Sequence, residues 1–169
     1  MKYVLLLLAV LSATPSAQSR RAAAGEPPSL SEPFYVNPST GNLAGLEKVK
    51  SQVLRKGRGV AFFVEGSSSG VEIRNEGPQT FAIRVMRAPS PEEAPRLLRL
   101  EVLASDGGRR FVTGTSVPLD VRPAGLSYQL APRVPLPPGE YAFSVNGLFG
   151  PEAAGYPGQD GWAFRVVDR

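Results

Sequence analysis

The chain has 169 residues, with 19 Lys and Arg against 15 Asp and Glu, a formal net charge of +4, no histidine and no cysteine. Without those two residue types the commonest zinc sites, the Ser-His-Asp and Cys-His catalytic arrangements and disulfide stapling are all excluded. So is the usual general base near neutral pH. Basic residues are scattered, with small clusters at Arg55, Lys56 and Arg58 and at Arg109 and Arg110. No aromatic-interleaved basic stripe points to nucleic acid.

The first residues read as a secretory signal peptide. Lys2 supplies a positive start, residues 4–11 (VLLLLAVL) are unbroken and apolar, and residues 12–19 bring small side chains and a helix-breaking Pro15. That order of charge, apolar run and small residues is what a signal peptidase reads. The expected signal spans 1–17, with cleavage after Ala17 or, as a better small-x-small pair, after Ser19. The apolar run falls well short of the roughly 20 residues of a membrane-spanning helix. A lipidated N-terminal cysteine is excluded, so no membrane anchor is expected. Lys2 leaves with the signal, so the exported chain keeps 18 of the 19 basic residues against 15 acidic, a charge of +3. The expected address is secreted or periplasmic. Residues 18–32 read as a flexible linker, with Pro27-Pro28 favouring an extended backbone, and 33–169 as one domain able to bury a core without staples.

From Pro33 onward, short apolar runs alternate with Gly, Pro, Asn and Asp clusters, the pattern of strands and turns. The chain holds 18 Gly and 17 Pro, which long helices do not tolerate. Phe34-Tyr35-Val36 is a first strand and residues 37–42 a turn. Residues 43–54 are ambiguous: Leu43, Leu46, Val49 and Val53 recur near helical spacing, while Glu47, Val49, Ser51 and Val53 fit one strand face. The β neighbourhood favours a strand, with a short helix as the alternative. Residues 60–64 (VAFFV) read as a strand buried on both faces, and 65–70 (EGSSSG) as a turn in a hairpin. Alternating strands follow around Ile73, Phe81-Ile83-Val85 and Leu98-Leu100-Val102. Ser105-Asp106-Gly107-Gly108 has the composition of a hairpin turn, with 109–113 as its return strand. Residues 126–130 alternate around Tyr128. Tyr141, Phe143 and Val145, and then Trp162, Phe164 and Val166, load one face of each of two late strands with rings, which predicts that they pack as a pair in the core.

About eight or nine such strands without long helices predict an antiparallel β-sandwich, with a closed barrel as second choice. Two segments carry a resemblance. Leu136-Pro137-Pro138-Gly139-Glu140-Tyr141-Ala142-Phe143 resembles the late strand of exported bacterial immunoglobulin-like sandwiches, where a Pro-Gly turn leads into a strand opening Glu-Tyr. Residues 35–47 (YVNPSTGNLAGLE) are similar to the opening of uncharacterised secreted bacterial proteins of the same kind. The resemblance implies an immunoglobulin-like sandwich in a bacterial envelope setting, and no activity.

Catalytic chemistry finds little support. A glycosidase needs two carboxylates flanking a sugar bond, yet Glu65, Glu72, Glu76, Glu92, Glu93, Glu101, Asp106 and Asp160 sit in no recognisable motif. No segment clusters Asp and Asn as a calcium loop does. Ser67-Ser68-Ser69 lacks a His partner, and Gly57-Arg58-Gly59 lacks the Lys-Ser/Thr ending of a phosphate loop. No cofactor is expected. The long segment 147–161 (GLFGPEAAGYPGQDG) exceeds ordinary hairpin loops and carries Leu148, Phe149 and Tyr156, the candidate contacts for a ligand or partner. The expected function is that of a non-enzymatic exported domain binding a protein or a cell-envelope component. A polysaccharide-binding module is the alternative, and a hydrolase using acidic residues alone a third reading. Replacing Phe149 and Tyr156 together by alanine separates a binding loop from a core closure. A melting temperature close to that of the parent supports binding, and a large fall in melting temperature overturns it.

Overall fold

Where β-branched and aromatic runs are punctuated by Gly and Pro, the backbone has to satisfy its polar groups between strands. The computed structural model describes residues 27–28, 31–56, 59–85, 95–103, 108–112, 116–144 and 159–168, and strands are its only regular elements. They are β1 (Pro33–Val36), β2 (Leu43–Gly45), β3 (Glu47–Lys56), β4 (Gly59–Glu65), β5 (Glu72–Arg74), β6 (Phe81–Arg84), β7 (Arg96–Leu103), β8 (Gly108–Val112), β9 (Ser116–Val117), β10 (Leu119–Ala124), β11 (Ser127–Pro132), β12 (Gly139–Ser144) and β13 (Gln159–Val167). Among the described residues no helix is long and apolar enough to cross a membrane. The expected signal segment 1–17 and the loop residues Leu148, Phe149 and Tyr156 lie outside the described residues.

Among the described residues thirteen strands stand where the pattern predicts eight or nine. Among the additions, β2 and β9 are only three and two residues long. Alternation cannot show over so few positions, and each forms because a longer strand pairs with it. The ambiguous stretch 43–54 is strand, interrupted at Leu46. Before that residue β2 pairs with β1, and after it β3 pairs with β13 and β4. The break is where the chain leaves one sheet for the other, and Leu46 packs against the core between them.

One sheet has five antiparallel strands in the order β10-β11-β6-β1-β2. In the second, β12, β13, β3, β4, β8 and β7 pair in turn, and β7 then pairs with β12 from the other side. These six strands therefore close into a ring, combining the sandwich and the barrel expected as alternatives. All pairings are antiparallel except that of β5 with β13, which is parallel. Strand β13 changes partner midway, with residues up to Ala163 facing β3 and those from Arg165 facing β5.

The late strands do pair as predicted, Tyr141 opposite Phe164 and Phe143 opposite Trp162. Their two faces are buried in different ways. Tyr141, Phe143, Trp162, Phe164 and Val166 face the five-stranded sheet and join Leu97, Phe81, Ile83 and Leu130 in one core. Phe81 is its hub, with ring centroids 4.8 Å from Phe143 in edge geometry and 5.1 Å from Phe164. Such ring pairs add about 0.5–1.5 kcal/mol beyond area burial. Alternate residues of the same strands face into the ring, where Ala142 and Ala163 meet Val49, Val64, Leu98 and Leu100. Barrel diameter grows with strand number, and about eight strands are needed for an interior that ordinary side chains just fill. A narrower ring requires small residues, and alanine meets that requirement at both positions.

Two consequences can be measured. Phe81→Ala should cost about 3–5 kcal/mol by denaturant titration. Ala163→Leu should also destabilise, by about 1–3 kcal/mol despite its greater hydrophobicity, while Ala44→Leu at an exposed β2 position should change little.

Candidate functional site

The segment 65–70 was expected to be a hairpin turn, and it is not one. Strand β4 pairs with β3 and β8, whereas β5 lies beside β13. Residues between them cross the end of the ring, over the start of β3. Two carboxylates catch this crossing. Ser69 is buried and its N–H donates to Glu140 Oε2 at 3.0 Å. Its hydroxyl donates to Glu47 Oε2 at 2.5 Å, and the Gly70 N–H reaches the same oxygen at 3.1 Å. The Ser69 hydroxyl in turn accepts the Val71 N–H at 3.2 Å. Arg165 N–H then donates to Val71 O at 2.8 Å and fixes the crossing to β13. Glu47 and Glu140 point inward because they share the strand faces of Val49 and Ala142. A buried carboxylate is tolerated only when hydrogen-bonded, and the crossing supplies those bonds.

Beside this latch an open groove of about 480 Å³ runs across the ring mouth. Leu100 and Val102 form an apolar wall, Ser67 and Ser68 one rim, and Arg99, Arg165, Glu140 and Asp168 its charged groups. Arg99 stands opposite Tyr141 across the β7–β12 pairing. Its guanidinium lies over Gly139, where an added Cβ would come within 3.6 Å of it, and Gly139 has a φ of +154° that side-chain-bearing residues rarely adopt. Glycine is required there by the backbone conformation, since a Cβ would meet the guanidinium only at ordinary contact distance. Beneath it, the Tyr141 hydroxyl donates to Pro137 O at 2.7 Å, and burial raises its pKa against the opposing pull of Arg99. Arg165 pairs with Glu72 at 2.9 Å between exposed side chains, a contact worth at most about 1 kcal/mol.

Among the described residues, the acids singled out from the sequence do not converge. Glu72 is taken up by Arg165, and Asp160 by Lys48 at 3.1 Å and by Lys50. The hydrogen bond from Lys50, then that from Lys48, lowers the Asp160 pKa. Its contribution to stability is therefore present above the ordinary carboxylate range and is lost as pH falls through the depressed value. Glu92, Glu93 and Asp106 lie outside the described residues. Among the described residues no group of three or more acids could hold a metal ion. The pair that does meet, Glu47 and Glu140, was not singled out, because residues 93 positions apart come together only through the crossing of 66–71. Leu148, Phe149 and Tyr156, outside the described residues, lie in the sequence between Ser144, the end of β12, and Gln159, the start of β13. Those anchors are at the opposite end of the strand pair from Gly139 and the groove.

Comparison with protein-family models, curated proteins and solved structures returns no match.

The latch makes a graded prediction. Ser69→Ala removes the hydroxyl that links Glu47 to Val71 and should cost about 1–3 kcal/mol in a thermal or urea melt. Ser67→Ala and Ser68→Ala, at exposed positions, should stay within about 0.5 kcal/mol of the parent.

Proposed function

We propose that the chain is an exported, non-catalytic β domain that binds a protein or a cell-envelope component in the groove at the ring mouth. One observation carries the reading. The groove joins an apolar wall, Leu100 and Val102, to the cations Arg99 and Arg165, and barrel mouths with a few convergent polar groups are common ligand sites. The two facing sheets and the Pro138-Gly139 turn into β12 support a variant of the immunoglobulin-like sandwich of secreted bacterial proteins, with one sheet curled shut.

The choice against catalysis is supported by the latch. Glu47 Oε2 and Glu140 Oε2 serve as acceptors for the crossing segment, a structural use that competes with proton transfer. The choice of a protein or envelope component over a polysaccharide rests on the rings. A sugar platform needs exposed aromatics, and among the described side chains Phe81, Tyr141, Phe143 and Phe164 are fully buried, Trp162 is only 7% exposed, and Phe34, Tyr35 and Tyr128 are half-buried.

A photo-crosslinking residue at Val102, which is 50% exposed on the groove wall, tests this in the expressing cell. A discrete adduct is expected at Val102, absent from the exposed control position Glu76 and lost in the Arg99→Ala/Arg165→Ala variant. No adduct at Val102, or the same adducts at both positions, overturns the proposal.

A further inference from the structure

The groove beside Gly139 is a missing length of strand. β7 and β13 flank β12 and both lie antiparallel to it. Both also run past the point where β12 begins. The first pairs of β12 are Gly139 with Val166 and Glu140 with Leu100, while β13 continues to Val167 and β7 to Leu103. The residues before Gly139 cannot fill that line, because they are drawn out of the sheet. Tyr141 holds Pro137 O through its hydroxyl at 2.7 Å, Gln79 Oε1 accepts the Leu136 N–H at 3.2 Å, and Leu136 is buried in the core between the sheets. The vacated line has Val102 on one side, Val167 and Asp168 on the other, and Gly139 at its end. Two strands that flank a third stand about 9–10 Å apart, twice the usual strand spacing, and a slot of that width takes one extended chain.

The backbone groups that face the slot follow from the ladder. Arg165 N–H donates to Val71 O at 2.8 Å and Asn75 N–H to Val167 O at 2.9 Å, so the odd residues of this end of β13 turn toward β5. Val166 and Asp168 therefore turn toward the β12 line. The same alternation, carried across β12, turns Leu100 and Val102 of β7 toward it from the other side. Leu100 and Val166 have their partners in β12. Among the described residues, no backbone bond reaches Val102 or Asp168 across the slot.

We infer that this slot takes the extended C-terminal tail of a partner protein, which completes the β12 line as an added strand. The inference rests on the binding role of the groove and names its occupant. The last residue of the tail exchanges backbone bonds with Val102, and the residue before it with Asp168. The last side chain falls between Val102 and Val167 on the ring side, which calls for an apolar residue. Gly139 stands at the end of the slot, so the incoming chain has to terminate there. A tail antiparallel to β7 terminates in a carboxylate, and one parallel to β7 in an ammonium. Charge decides between them. Arg99 lies over Gly139 on the Tyr141 side of the sheet, and Arg165 stands opposite Glu140 on the ring side. A guanidinium carries five donors, so Arg165 can keep Glu72, and Arg99 its 3.5 Å contact with Pro138 O, while each still offers N–H groups to a carboxylate. Such charge-assisted bonds are about twice as strong as neutral ones, whereas an ammonium would face two like charges. The acids of the groove lie off this point, since Glu140 Oε2 accepts from Ser69 and Asp168 flanks the residue before the last. Strand addition at an open edge and capture of a terminal carboxylate are both recurring modes of peptide recognition.

Fluorescence anisotropy with the purified protein tests this. The probe is the hexapeptide Ser-Thr-Ser-Thr-Thr-Val, dye-labelled at its N-terminus and with a free C-terminal carboxylate. Saturable binding with a Kd below about 1 mM is expected. Amidating the carboxylate, or N-methylating the terminal valine so that its bond to Val102 C=O is lost, should weaken binding at least about tenfold. Arg99→Gln and Val102→Pro should do the same in protein whose circular dichroism matches the parent, and Arg122→Gln on the other sheet should not. The two peptide changes need no folded variant. Absence of saturable binding by the acid peptide overturns the inference. So does equal binding of the amide or of the N-methylated peptide, or binding unaffected by Arg99→Gln and Val102→Pro. A cellular adduct at Val102 without peptide binding removes the tail as occupant and leaves the groove reading standing, whereas loss of both removes both.

Discussion

Ring closure is the constraint on which the rest of this structure depends. When β7 pairs with β12, the second sheet loses two of its edges and gains a narrow interior that Val49, Val64, Leu98 and Leu100 fill, with only small side chains opposite them on β12 and β13. Strands β12 and β13 must then bury both faces, one against the five-stranded sheet and one inside the ring. The sequence meets the two demands by alternation, with Tyr141, Phe143, Trp162 and Phe164 on the outer face and Ala142 and Ala163 on the inner one. Exchanging the two sets would leave the sheets unfilled and the ring overpacked. The same strands thus hold both cores together, and Phe81, reaching from β6 into the ring cluster, ties the sheets to each other.

A closed ring still has ends, and the chemistry of this protein gathers at one of them. The crossing from β4 to β5 lies over that end and is held by Glu47 and Glu140 through Ser69. Because the carboxylates are engaged by backbone and hydroxyl donors, the crossing is anchored from below while Ser67 and Ser68 stay at the surface. The groove beside it follows from this arrangement. Leu100 and Val102 continue the inner face of β7 past the last ring layer, and Arg99 folds back over Gly139. The proposed binding role rests on this combination of an apolar wall and guanidinium groups. The β10 edge is a different surface, made by the five-stranded sheet and kept from indiscriminate pairing by Asp120, Arg122 and Pro123.

Much of the strand pattern is legible in the sequence because alternation with period two survives over four or more residues. That holds for β6, β7, β12 and β13, and it extends to the prediction that β12 and β13 are partners. It fails for β2 and β9, whose existence depends on a neighbour's unpaired backbone and not on their own residues. It fails also at 65–70, where Gly-Ser composition signals a change of direction but cannot say whether the chain returns along its own sheet or crosses to another strand. The groove shows the same limit. Arg99 is visible in the sequence only as the polar residue between Leu98 and Leu100, and Arg165 only as its counterpart between Phe164 and Val166.

By itself the sequence determined the all-β class, the punctuation of the strands and the absence of His- and Cys-based chemistry, since these depend on residue types and on order over a few neighbours. Tertiary structure alone decided that one sheet closes, that Glu47 and Glu140 meet over Ser69, and that β10 is left at an edge. Each of these brings together or separates residues far apart in the chain, and local propensity carries no information about such distances. The physical reason lies in the pairing rule of the sheet, because each strand satisfies only half of its backbone groups with one neighbour. The other half is assigned by the whole fold.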